Sequence, residues 1–307
     1  MPLISFIITY HNEPEAYLQA CIESIQSLPL AKDEAEIIVV DDGRTLPQTF
    51  NFQFSSQSSD AGRTTFNSQV VSQEQAGLSV ARNTGISHAE GRYIQFVDAD
   101  DCLVPSAYEA VIEQLRKERS DVVMFKMTTA LHRGREGKEC LHPRGIWDGA
   151  AFLQHRNLRA AAWGYAFKRD ILGDLRFYPG LFHEDELFTP LLFMKTKTLV
   201  ELDAIAYFYR QHSGTITHSN SPEKVQKRLD DIHFILKELR SLEDSLLERR
   251  IRQLTVDYIQ KTWTLTCSFK ELRRRVKELR EEGFLPLPLR CYSLRYLLIA
   301  LMIKPLQ

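Results

Sequence analysis

Asp98-Ala99-Asp100-Asp101 closes the apolar run Tyr93-Ile94-Gln95-Phe96-Val97. Carboxylates at a strand end stand at the carboxyl edge of a sheet, where open α/β folds bind ligands. In extended backbone, residues two apart project to the same side, so Asp98 and Asp100 can converge while Asp101 points away. Converging carboxylates repel unless something positive lies between them. A hard divalent cation such as Mg²⁺ or Mn²⁺, shared with a diphosphate, meets that need. The competing reading is an acidic turn, with Asp100 or Asp101 making local hydrogen bonds before a helix near Pro105. A second acidic cluster, Glu184-Asp185-Glu186, opens a segment with Phe188 and Leu192 on one helical face. It reads either as reactive carboxylates or as an acidic first turn favoured by the helix dipole.

The elements that must position these residues alternate along the first half of the chain. Leu3 to Thr9 is a short β-rich run, and Glu15 to Leu28 follows with apolar residues at helical spacing. Glu36 to Val40 reads as a strand buried on both faces, ending in Asp41-Asp42-Gly43. A polar, Ser/Gln-rich excursion from Arg44 to Ser68 precedes a short strand at Val70-Val71. A helix spans Leu78 to Glu90 and stops at Gly91; strand Tyr93–Val97, helix Pro105–Arg119 and strand Asp121–Met127 follow. This βαβ rhythm predicts an α/β fold with a mostly parallel sheet covered by helices. Beyond it, His132 to Gly145 reads as an exposed loop or hairpin, Glu184 to Lys195 as a helix and Ala204 to Arg210 as a strand. From Pro222 the chain turns to long amphipathic helices, roughly Pro222–Leu247 and Glu248–Glu282, so the organisation expected is one domain over 1–215 and a helical extension over 216–307.

The 307 residues carry a formal net charge of −1, so no global field draws the chain to nucleic acid, and no nucleic-acid partner is expected. Five scattered cysteines without a C-x-x-C pair argue against a zinc site or a disulfide framework and for a reducing compartment. The apolar N-terminus lacks a basic leader and reads as a first strand, and no apolar stretch has the length of about 20 residues that a membrane span needs. A cytoplasmic location follows, either free or peripheral on the inner face of the membrane.

Four segments in register carry a family resemblance: Ile7-Ile8-Thr9-Tyr10-His11-Asn12-Glu13, Ile37-Ile38-Val39-Val40-Asp41-Asp42-Gly43, Gln75-Ala76-Gly77-Leu78-Ser79-Val80-Ala81-Arg82-Asn83-Thr84-Gly85, and Gly91 to Asp101. In this order and spacing the chain resembles the family 2 glycosyltransferases, which have the GT-A fold, over roughly residues 2 to 212. His183-Glu184-Asp185-Glu186-Leu187-Phe188 resembles the family's Glu-Asp motif, Ala162 to Arg169 the segment before it, and Tyr207-Phe208-Tyr209-Arg210 a strand after it. The chain departs where the family usually has serine after Asp-Asp-Gly; here Arg44 stands, followed by the long polar insertion.

The resemblance implies an inverting, metal-dependent glycosyltransferase that moves a sugar from a nucleotide-sugar donor, a UDP-sugar, to a saccharide or lipid-linked acceptor, in bacterial surface-polysaccharide assembly. Thr9, Tyr10 and Asp42 would frame the nucleobase, Asp42 accepting the imide N–H of uracil; its alternative is a turn-former before Gly43. Glu13 would assist base or ribose, or is simply an acidic first-turn residue. Arg82 would meet ribose or diphosphate, or is a solvated helix charge. Asp100 is the metal ligand and Asp98 its partner, through water or the ribose, for Mn²⁺ or Mg²⁺. Asp185 is the general base, with Glu184 raising its basicity by like-charge repulsion. Trp163 and Tyr165 form an acceptor platform or are core. Arg210 and His212 clamp the diphosphate or are solvated.

The tail from 290 to 304 mixes Arg290, Arg295 and Lys304 with an apolar series, open to a peripheral membrane contact, to packing on its own domain or to a homodimer. Two rival functions remain at this point: a nucleotidyltransferase of related topology, and a non-catalytic sugar-nucleotide-binding scaffold.

Overall fold

A computed structural model describes residues 1–46, 50, 64, 66–130, 143–211, 221–290 and 292–303. Strand β1 (Ile4–Tyr10) is buried along its whole length because both its faces are covered. Ile4, Phe6, Ile8 and Tyr10 meet Leu18, Cys21, Ile22 and Ile25 of helix α1 (Glu15–Gln26) on one side. Ile7 faces Ala81 and Ile86 of helix α2 (Leu78–His88) on the other. The strand's alternation thus sorts one apolar run into two cores.

Strands β2 (Ala35–Asp42), β3 (Asn67–Gln73) and β4 (Tyr93–Asp98) join β1 in the order β3-β2-β1-β4, all parallel. This half is the one the βαβ rhythm foretold. The register brings Thr9 beside Val40 and Asp98, and Tyr10 beside Asp41, so the carboxyl ends of β1, β2 and β4 form one edge. Gly91 allows the start of β4 to approach β1: a Cβ there would lie 2.5 Å from the Ser5 nitrogen. The buried Glu36 carboxylate bonds the amides of Glu90 and Gly91 and the Ser5 hydroxyl at this crossing.

Beyond β4 the sheet becomes mixed. After β5 (Cys102–Leu103) and helix α3 (Pro105–Arg116) come β6 (Val122–Thr128), β7 (Pro143–Trp147), helix α4 (Gly149–His155) and β8 (Tyr165–Lys168). Helix α5 (Asp185–Met194) and β9 (Leu199–Phe208) follow. β8 runs antiparallel between β4 and β6, β9 runs parallel to β6, and β5 and β7 pair antiparallel with β9. β3 extends further than the two residues Val70-Val71, and β9 begins at Leu199 instead of Ala204. Backbone pairing sets both limits, and β3 is exposed along much of its length, so its apolar signal is thin.

The C-terminal region holds α6 (Pro222–Ser241), α7 (Glu248–Thr266), α8 (Phe269–Glu281) and α9 (Leu294–Ile303). The single helix expected over Glu248–Glu282 is two. Cys267 adopts a left-handed conformation (φ 47°) that ends α7, and the Ser268 hydroxyl accepts from Glu271 N to start α8. These helices share a third core, which Leu187 of α5 joins. The expected 215/216 boundary, most of the Arg44–Ser68 excursion and most of the His132–Gly145 loop lie outside the described residues.

Candidate active site

The turn after β4 divides its aspartates. Asp101 is fully buried; its amide donates to the Asp98 carbonyl, and its carboxylate accepts from the Tyr207 hydroxyl (2.8 Å) and from Arg210 N (2.7 Å). It fastens the turn to the end of β9, and burial, with Asp98 and Asp100 nearby, pushes its pKa up to about 8. Asp98 and Asp100 are only half-buried at the sheet's edge.

Arg82 of α2 is 3% exposed, which removes the reading of a solvated charge. Its Nη2 donates to Asp98 Oδ1 at 3.1 Å, and its Nη1 donates to Glu184 Oε1. Phe96 and Phe177 flank the guanidinium at 5.6 and 5.3 Å. Helix α2 can place it there because Gly77 (φ 88°) turns the chain into the helix. One guanidinium therefore ties the end of β4 to the start of α5, two acidic clusters 86 positions apart in Asp98 and Glu184.

Asp185 follows as the first residue of α5. Burial raises its pKa to about 8, with the Glu184 charge the next contribution, while Arg82 opposes. The neighbour on its other side, Glu186, is held by Arg250 of α7, which is 4% exposed and also donates to the Leu158 carbonyl at 3.1 Å. Asp185 thus stands between two carboxylates, each anchored by a buried arginine from a different part of the chain. His183 enters the helix with φ 60°, a conformation rare outside glycine. Its ring lies 3.0 Å from Lys261 Nζ, and burial with the charges of Lys261 and Arg228 lowers its pKa to about 4, so the ring is neutral.

At the end of β1, Thr9 and Tyr10 are buried, and the Tyr10 hydroxyl donates to the Glu13 carbonyl. The Glu13 carboxylate accepts from His11 N at 2.6 Å, and burial raises its pKa. Asp42 is occupied by its own chain: Oδ1 accepts from Ala76 N and Gln73 Nε2, and Oδ2 from Gly77 N, all at 2.7–2.8 Å. Asp41 accepts in the same way from Thr45 N (2.8 Å) and Leu46 N (3.1 Å).

Trp163 is 8% exposed and stacks on Tyr207 (4.5 Å between centroids) and Tyr209 (5.8 Å), with the Arg159 guanidinium 4.8 Å above its ring. Tyr165 cannot be an acceptor platform. It is fully buried beneath α5, its hydroxyl 2.9 Å from the Thr189 hydroxyl, because β8 turns it toward the core that Phe167 and Phe193 share. Arg210 lies over Tyr17 (4.4 Å) and donates through Nε to the Asp100 carbonyl at 2.7 Å, so it braces the metal-candidate turn from behind. His212 lies outside the described residues.

A cavity of about 400 Å³ opens on Asp185, lined by Arg159, Trp163, Tyr209, Arg250 and Asp257 among others. An aromatic wall with a carboxylate at its edge suits a sugar ring presenting a hydroxyl. Arg159, Arg250, Asp257 and Lys261 carry no short-range motif that would have marked them; only the packing of α7 against α4 and α5 brings three of them here.

The family model described as Glycosyl transferase family 2 matches residues 5–175. The chain is 25% identical over 228 residues to glycosyltransferase GlyA of Streptococcus pneumoniae serotype 4, covering 70% of this chain and 31% of that protein. It is 27% identical over 227 residues to the uncharacterized glycosyltransferase EpsJ of Bacillus subtilis, covering 71% and 63%. The chain therefore spans less than two thirds of the length of either relative. Among solved structures, residues 1–349 of S. aureus TarS in complex with UDP-GlcNAc match with a TM-score of 0.65 at 20% identity, over 92% of this chain and 80% of that one. That likeness establishes the fold, which is GT-A.

Proposed function

The chain belongs to glycosyl transferase family 2, and from that premise we propose that it transfers a sugar, with inversion, from a UDP-sugar to a saccharide or lipid-linked acceptor. The observation that carries the reading is the Arg82 bridge: it couples Asp98, on the donor side, to the Glu184-Asp185 pair beside the open cavity. UDP as the nucleotide is supported by the UDP-GlcNAc bound to TarS. A setting in cell-surface polysaccharide assembly is proposed by analogy with the family.

Asp185 would take the proton from an acceptor hydroxyl as that oxygen attacks the anomeric carbon and the bond to the diphosphate breaks. A carboxylate with its pKa near 8 is a far better base than an ordinary aspartate, and general-base catalysis of this kind contributes roughly 10²–10⁴-fold. Glu184 is not the base, since its charge is committed to Arg82; it tunes Asp185. Trp163 and Tyr209 would hold the acceptor ring, and the Asp42 network would hold the loop 73–77 against the nucleotide.

Asp98 and Asp100 are the residues that would hold a Mn²⁺ or Mg²⁺ ion. Their donor set is hard oxygen and partly exposed, and only one Asp98 oxygen is bonded by Arg82. Among the described residues no group of three or more His, Cys, Asp or Glu is gathered for a metal. The fit is therefore to an ion completed by diphosphate oxygens and water. Such an ion, when bound, would offset the charge that develops on the leaving diphosphate.

The test is a screen of UDP-, GDP- and dTDP-sugars for hydrolysis and for thermal stabilisation with and without Mn²⁺. A UDP-sugar should be favoured, Asp100→Ala should lose the Mn²⁺-dependent part, and Asp185→Asn should bind donor normally with turnover at least about a hundredfold lower. Stabilisation without turnover under every condition would support the scaffold reading instead. Full turnover by Asp185→Asn would place the base elsewhere.

A further inference from the structure

The cavity at Asp185 adjoins a second one, of about 240 Å³, that runs on between Gly164 and residues 124–127 of β6. Arg159, Ala161 and Trp163 line both. The other cations on these walls are engaged, Arg250 with Glu186 and Lys126 with Asp203. Arg159 differs. Among the described residues its guanidinium meets no carboxylate within ion-pair distance and makes no hydrogen bond.

The backbone fixes this side chain on both sides. The Leu158 carbonyl accepts from Arg250, and the Arg159 carbonyl accepts from Ala161 N at 2.9 Å. The guanidinium rests over the Trp163 ring at 4.8 Å, an attraction that orients it. The indole offers no hydrogen-bond acceptor, however, so the guanidinium's donors stay unmatched. Burial lowers the Arg159 pKa, with Tyr209 and Asp185 opposing, so the charge is partly withdrawn from water without an ion pair to replace it.

The acidic residues divide the two cavities. Asp185, Glu186 and Asp257 line the first, whereas among the described residues no aspartate or glutamate lines the second. An anion is repelled on the Asp185 side and attracted on the far side of Arg159. We propose that the acceptor is anionic, its accepting sugar standing at Asp185 while a phosphate or carboxylate on the same molecule binds Arg159 from the second cavity. Both groups present paired oxygens that suit the planar fork of a guanidinium. Arg159 is then a specificity residue, and it touches none of the reacting atoms. Calling this ligand the acceptor rests on the transfer reaction proposed above; the anion site does not.

The experiment is calorimetric titration of the whole chain, with UDP and Mn²⁺ present, by glucose, glucose 6-phosphate and glucuronate. At least one charged probe should bind roughly tenfold more tightly than glucose, the modest end for a charged hydrogen bond because Arg159 is partly open to water. Arg159→Gln should remove that advantage, and Arg159→Lys should keep part of it. Arg273→Gln, at an exposed arginine of α8 outside both cavities, should leave it whole. Thermal melting of each variant checks that the fold is kept. An advantage for the phosphate alone assigns a phosphorylated acceptor and one for glucuronate alone a uronate; either supports the site. Failure of both charged probes to outbind glucose, or an advantage that survives Arg159→Gln, overturns the proposal and leaves Arg159 a solvated charge. Transfer activity enters none of these readouts. A chain that binds the charged probes through Arg159 yet turns over no UDP-sugar keeps the anion site and refutes the transfer reading.

Discussion

Replacing Arg82 by methionine isolates the link between the two acidic clusters. The substitution keeps a long side chain against Phe96 and Phe177 but leaves Glu184, 5% exposed, without its cation. Removing one partner of a buried ion pair costs about 3–5 kcal/mol, because the other charge stays buried and uncompensated. Asp98, with 27% of its side chain exposed, adds little to that figure, since water screens it. For a chain of 307 residues the loss corresponds to a fall in Tm of roughly 5–8 °C. The pH dependence has a definite sign. Burial already holds the Asp98 pKa above its ordinary value and Arg82 opposes that rise, so without Arg82 the folded state binds protons more readily and the penalty grows as pH rises. Urea unfolding of Arg82→Met should therefore show a deficit that is smaller at pH 5 than at pH 8. Adding Glu184→Gln should restore most of it, since a buried amide costs far less than a buried charge. A deficit below about 1 kcal/mol, or one that is pH-independent and unrelieved by Glu184→Gln, would refute the argument.

Three further outcomes follow from the same structure. Asp101 and Asp185, both pushed up to about 8, bind protons in the folded state that the unfolded chain has released, so unliganded stability should fall between pH 6.5 and 8. The interval lies above His183, whose lowered pKa adds stability as pH rises only up to about 6.5; a flat or rising Tm by calorimetry would contradict it. Arg250→Lys keeps the charge but cannot hold both Glu186 and the Leu158 carbonyl as a fork, so transfer should drop roughly tenfold while UDP stabilisation is unchanged. Gly91→Ala pushes a Cβ against the Ser5 backbone and should cost roughly 3 kcal/mol in urea unfolding.

The strands and helices of the first half were legible because their signals are local. Apolar runs marked β1, β2 and β4, and Pro105 and Gly91 punctuated the helices. The break between α7 and α8 was not, since a cysteine in left-handed backbone and a serine cap leave the helical apolar spacing unbroken. At the site, the carboxylates could be found from strand ends and from register with a known family, and their general place at one edge follows from that. Their partners could not. Arg82 reads as a surface charge on a weakly amphipathic helix until the Phe96–Phe177 slot is seen, and Arg250 lies in a segment with no motif. Tyr165 and Trp163 are two residues apart and look alike in sequence. A short helical turn over 162–164 gives one to the cavity and the other to the core.

The Trp163 stack gives the molecule a built-in optical probe. An indole sandwiched against Tyr207 and Tyr209 and capped by the Arg159 guanidinium emits according to what quenches it, and here one of its neighbours is the cavity itself. A ring settling against that wall, or a shift of Arg159 away from it, would change the intensity without any label. Trp263, 47% exposed on α7, supplies a solvent-like emission to compare it with. Occupancy of the cavity at Asp185 can thus be followed by light before the acceptor has been identified.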